Sequence, residues 1–291
     1  MLDPVLLRGR DRYERVSEGS TDNTHDDAFT HTVRLGDTDR AVELSVVALP
    51  SPEYLIRSAR ARAVRGDVEP GAVTAVAKLD GVPMVGGLTR AVADAVGRGP
   101  GAALLVDAMI EVARLARQVA KLPRDRAERA TQSAWECWQL DTSGWIDLPD
   151  SCFTYSAAGK ALFGTRTIAS PMQPDLYSPR PGQTGVFVRR KVARLERTGD
   201  GLRLFHSMHD NVHGFELTYE VDAAGRITRA DSVTSRLPYA GICSEPQAKI
   251  KSLIGETVDA GLRRRVSAHV GGVSGCAQLF DLTADLLKLL A

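Results

Sequence analysis

Apolar and polar positions alternate in strand fashion over residues 30–35 and 41–48, with the turn-rich Gly36-Asp37-Thr38-Asp39 between them. Pro50-Ser51-Pro52 turns the chain, and residues 54–63 read as a third strand or a helix. The period then becomes helical. Helices are expected near residues 71–78, 84–96 and 102–119, the last with Leu105, Met109, Val112 and Ala116 in one stripe. The same plan returns further on. Residues 202–208, 215–221 and 226–233 read as strands, the last two joined by the hairpin turn Asp222-Ala223-Ala224-Gly225. A loop over 237–246 leads to helices near 247–252, 258–270 and 276–290.

This recurrence is written in the residues themselves. At one constant offset, residues 79–107 and 253–281 are identical at 12 of 29 positions, among them Gly81/Gly255, Leu88/Leu262, Gly97/Gly271, Gly101/Gly275 and Leu105/Leu279. So long a period means two domain-sized copies. The expected fold is α+β: a tandem duplication of a small antiparallel sheet followed by helices, related by a pseudo-two-fold. The chain divides into a leader and mobile loop over 1–28, copy one over 29–120, an insert over 121–187 and copy two over 188–291. Copy one reads as the degenerate copy, because the duplication pairs Ala102 with Cys276.

The insert has no counterpart in copy two. It holds all three tryptophans, Trp135, Trp138 and Trp145, with Phe153, Tyr155, Phe163, Cys137 and Cys152. A helix through Trp135 and Trp138 puts both on one face. Aromatic clustering of this density seals a core or walls a pocket, so Trp135, Trp138, Trp145, Tyr155 and Tyr239 are the candidate substrate-binding residues.

A net charge of +1 with 43% hydrophobic and 25% charged residues fits a globular chain and gives no basis for tracking phosphates, so no nucleic-acid partner is expected. The basic runs 189–191 and 263–265 read as solvated surface. The first 15 residues lack the apolar core of a signal peptide, and no stretch approaches a membrane span. Four cysteines without a secretory signal point to reduced thiols and a cytoplasmic protein. A small-molecule substrate is expected, and a homodimer stays open.

Candidate chemistry gathers in copy two. Gly275 delivers Cys276 to the start of the last helix, where free N–H groups and the helix dipole favour thiolate. Cys243 precedes another helix start, capped by Ser244. His206, His209 and His213 fall within eight residues, and a polar loop of exposed histidines is the plain reading of them. His213 precedes the central strand, and with Cys243 and Cys276 it makes a three-ligand zinc site open at the fourth position for water. His209 and Asp210 are the candidate proton-handling residues. Cys152, beside Asp150 and Ser151, is a further candidate nucleophile.

Pro238-Tyr239-…-Cys243, Leu253-…-Gly255, Gly261 and Gly271-Gly272-…-Gly275-Cys276-…-Leu279 resemble the closing signature of a bacterial domain-of-unknown-function family, number 2889. The resemblance covers residues 187–291, with Gln278 and Gly214 where the family usually carries histidine and aspartate. It implies a companion role in aromatic-compound breakdown. The order of strands, cysteine loop, helices and final cysteine is also similar to U-type iron–sulfur scaffold proteins. That likeness implies zinc or a cluster at His213, Cys243 and Cys276. The expected function is hydrolysis of an acyl or β-keto thioester, aromatic acyl-coenzyme A included, at a zinc/thiolate site. The alternatives are a metal, sulfur or iron–sulfur carrier, and a structural or partner-binding protein.

Overall fold

The computed structural model describes residues 3–146 and 148–290. In chain order its strands are β1 (Arg12–Asp22), β2 (Phe29–Asp37), β3 (Ala41–Ala48), β4 (Ile56–Arg65), β5 (Phe187–Thr198), β6 (Gly201–Asp210), β7 (Gly214–Val221) and β8 (Ile227–Arg236). Its α-helices are α1 (Pro70–Ala75), α2 (Leu88–Val96), α3 (Pro100–Ala116), α4 (Arg124–Ala130), α5 (Ala134–Asp141), α6 (Ala157–Ala161), α7 (Pro174–Tyr177), α8 (Leu262–Val270) and α9 (Ala277–Leu287). The architecture is mixed α+β, and the strands are hydrogen-bonded in the order β4-β3-β2-β1-β5-β6-β7-β8. No helix among the described residues is long and apolar enough to cross a membrane.

The chain falls into two compact units. One comprises Arg15–Thr131 and Gln173–Arg190, so it holds copy one. Here β2, β3 and β4 pair antiparallel, and α3 packs on β2 and β3. Val33, Val42, Leu44 and Val46 meet Leu104, Leu105, Ala108, Met109 and Val112 in a fully buried core. The other unit holds the described residues up to Glu14, Gln132–Met172 and those from Lys191 onward. There β6, β7 and β8 pair antiparallel and α9 packs on β6. Leu204, Leu217 and Tyr219 are buried with Leu262, Val266, Leu279, Leu282 and Leu286. The Tyr219 hydroxyl, inside that apolar layer, shares a 2.6 Å hydrogen bond with Thr283.

One helix recurs at the same offset within the two matched segments. α2 and α8 have identical spans, each opened by a matched glycine (Gly87, Gly261) and closed by another (Gly97, Gly271). The 3-10 stretches Val76–Leu79 and Glu245–Leu253 end on the matched leucines Leu79 and Leu253.

Three expectations differ from the structure. Residues 19–22 belong to β1 and not to a mobile loop; its covered face carries Tyr13, Ser17 and Thr21, too polar to show as a strand pattern. The run 189–191 is not solvated surface. It lies in β5, with Arg189 and Lys191 buried and the Lys191 ammonium 2.7 Å from the Asp285 carboxylate. The histidine segment is no exposed loop either. β6 alternates His206 and Asp210 inward with His209 outward, and a tight turn ending at His213 leads into β7.

Candidate functional site

Helix α5 is capped by Ser133, whose Oγ accepts from the Glu136 N–H at 3.2 Å and donates to the Glu136 carboxylate at 3.0 Å. Its spacing then puts Trp135, Trp138 and Asp141 on one stripe. The indoles of Trp135 and Trp138 stack with centroids 5.6 Å apart and planes 7° apart, and Phe163 meets both edge-on. Trp138 is buried and donates from Nε1 to the Thr154 carbonyl at 2.8 Å, whereas Trp135 is 37% exposed. Asp141 is buried, and its Oδ2 accepts from Tyr155 at 3.0 Å and from Tyr239 at 2.6 Å. The two tyrosine rings meet edge-to-face. Trp145 donates from Nε1 to the Leu140 carbonyl at 2.8 Å.

Three thiols converge beside this stripe. Cys152 opens a short 3-10 turn, Phe153–Tyr155, whose Phe153 N–H donates to the Gly275 carbonyl at 2.9 Å and so ties the turn to the start of α9. Thr154 Oγ1 and Cys243 Sγ share a 3.0 Å hydrogen bond. Gln247 donates to the Cys243 carbonyl at 3.0 Å. Cys276 is the N-cap of α9 and its sulfur accepts from the Leu279 N–H at 3.5 Å. A Cβ at Gly275 would collide with the Val270 and Gly271 carbonyls, so glycine is what lets this loop close.

The electrostatics correct the expected thiolates. Burial pushes the Cys276 thiol up to about 11, outweighing the Leu279 N–H at the helix start, and pushes Cys243 up to about 12. Burial also raises Cys152, but four donors oppose it there: the backbone N–H groups of Tyr155 and Thr154 and the hydroxyls of Thr154 and Ser151. Burial first, then the Asp141 carboxylate, holds Tyr155 well above the usual phenol range, so it stays a donor.

The histidines do not join the thiols. His213 is buried with Nδ1 3.1 Å from Asp210 Oδ1, which also accepts from the backbone N–H groups of Val212 and His213. Asp210 therefore organises the β6–β7 turn. His209 faces away from it, 3.6 Å from Glu216. Among the described residues, no three His, Cys, Asp or Glu side chains are grouped to hold a metal ion, so His213, Cys243 and Cys276 do not fit zinc or a cluster.

Residues 196–290 match the model of a family described as "Protein of unknown function (DUF2889)". No curated protein and no solved structure matches the chain. The family match supports the resemblance drawn from the closing signature, and the likeness to iron–sulfur scaffolds has no such support. Tyr239, Cys243 and Cys276 lie within the matched stretch, while Cys152, Thr154, Tyr155 and the tryptophans lie before it. Asp141, Thr154 and Gln247 escaped the sequence reading. Asp141 alone left a sign: it continues the Trp135–Trp138 stripe.

Proposed function

We propose that the unit containing copy two is a thiol-dependent enzyme acting on an acyl or β-keto thioester, with Cys152 as nucleophile. The observation that carries this reading is the meeting of three thiols, with Cys152 half-buried at the head of a 3-10 turn that is tied to the start of α9. Neighbouring N–H and hydroxyl groups oppose the burial that raises the Cys152 thiol, and such groups favour sulfur as it gains charge. Cys152 attacks the thioester carbonyl, a carbon–sulfur bond forms to the enzyme and the carrier's carbon–sulfur bond breaks. The proton of Cys152 ends on the departing sulfur. Water then cleaves the acyl-enzyme, releasing the acid and restoring the thiol. No step passes through a metal, because the candidate ligands do not assemble.

The test is intact-mass spectrometry after mixing the protein with acyl thioesters of N-acetylcysteamine. An acyl adduct mapped to Cys152 and lost in Cys152→Ala is the expected result. An adduct that survives Cys152→Ala, or none at all, overturns the assignment. The burial that raises all three thiols favours a second reading, cysteines that only pack. That reading predicts no adduct and no iodoacetamide labelling at pH 8 until the chain unfolds.

A further inference from the structure

The outer end of the α5 stripe is built differently from its inner end. Trp138 and Asp141 are spent on internal hydrogen bonds, but Trp135 keeps over a third of its surface in solvent while stacked on Trp138. The Lys160 ammonium, on α6, sits 5.9 Å from the Trp135 ring centroid and 5.7 Å from that of Trp138. Lys160 is exposed, and among the described residues no carboxylate pairs with it. An open indole face beside an unpaired cation is complementary to a planar ring that carries negative charge. The position narrows the choice. Trp138 lies between Trp135 and Thr154, and Thr154 in turn touches Cys243. A ring on Trp135 is therefore one indole layer and one residue removed from the thiols, too far out to be the acyl group under attack.

We infer that Trp135 and Lys160 bind the nucleotide end of a thiol carrier, the base stacked on Trp135 and a phosphate on Lys160. The inference rests on the thioester reading for its biological sense, but the binding itself does not. Base stacking is sequence-tolerant and is worth on the order of tenfold or more in affinity per base. The lysine acts as a point charge for phosphate.

The probe is adenosine 5′-diphosphate, titrated against the full chain by calorimetry and by quenching of tryptophan fluorescence, with adenosine and pyrophosphate as partial ligands. The diphosphate is expected to bind more tightly than either part. Trp135→Ala should weaken it about tenfold, Trp135→Phe should retain most of the affinity and keep the fold in doubt-free comparison, and Lys160→Met should weaken the diphosphate but not adenosine. Absence of binding to the wild-type chain, or binding that Trp135→Ala and Lys160→Met both leave unchanged, overturns the inference. The two proposals fail separately. An acyl adduct from the nucleotide-free thioester without diphosphate binding sinks the platform alone, and diphosphate binding without any adduct sinks the thioester chemistry alone.

Discussion

The two copies treat the start of their last helix in opposite ways. In copy one, Glu69 lies against the Gly99–Gly101 turn that opens α3; a Cβ at either glycine would collide with its carboxylate oxygens, and Oε2 is buried with no hydrogen-bond partner among the described residues. Ala102 follows, fully buried. At the same offset, copy two has Cys243 in place of Glu69 and Cys276 in place of Ala102, with Gly275 matching Gly101. One copy puts a carboxyl group against the turn that opens its last helix. The other puts two thiols there that burial keeps neutral. The helix therefore needs neither thiol, and copy two's departure from copy one is available for chemistry.

The comparison presumes that matched apolar positions serve the same purpose in both copies, and the largest expected effects test that. Leu105 and Leu279 are identical at the common offset and both fully buried. Leu105→Ala and Leu279→Ala should each destabilise by about 2–5 kcal/mol in denaturant unfolding, and by amounts within about 1 kcal/mol of each other. A large effect in one copy and a negligible one in the other would break the equivalence.

A second test separates the copies by acid. His31, in β2 of copy one, is fully buried with Nδ1 2.9 Å from the Thr21 hydroxyl, and burial lowers its pKa to about 3. The folded state thus holds the neutral ring while the unfolded state protonates near pH 6.5. Stability from this group is complete above pH 6.5 and drains away as pH falls toward 3. Between pH 6.5 and 4 the loss is about 3 kcal/mol at 1.36 kcal/mol per unit. Comparison of the wild type with His31→Gln should show that extra acid loss only in the wild type. Parallel acid limbs would mean His31 is not held neutral.

What the sequence disclosed and what it hid follow one physical division. The hairpin of β7 and β8 and the stripe of α3 are local patterns, and each appears in the structure where the residues place it. β1 and β5 stayed hidden because Ser17, Thr21, Arg189 and Lys191 occupy inward positions where an apolar residue would have marked the strand. The thiols were legible one at a time, since each opens a turn or helix. The zinc reading already drew Cys243 and Cys276 together, but the arrival of Cys152 was not legible: Thr154 touches a cysteine 89 residues away, and the Cys152 turn is tied to Gly275. His213 is not brought to the thiols, for Asp210 three residues earlier holds it within its own turn.

The smallest effect on stability bears most directly on the asymmetry. Cys276→Ala gives copy two the residue that copy one already carries at this position. Only a long hydrogen bond from Leu279 to the sulfur is lost, so unfolding at pH 7 should shift by less than about 1 kcal/mol. In the wild type, iodoacetamide labelling of Cys276 should rise about tenfold per pH unit from 7 to 10, since burial places its titration near 11 and only the thiolate reacts. The variant should lose that labelling without losing the fold. If it instead lost more than about 2 kcal/mol, Cys276 would be a packing residue that copy two cannot spare. The contrast with Ala102 would then reflect two ways of filling a core, and the case for chemistry would rest on Cys152 alone.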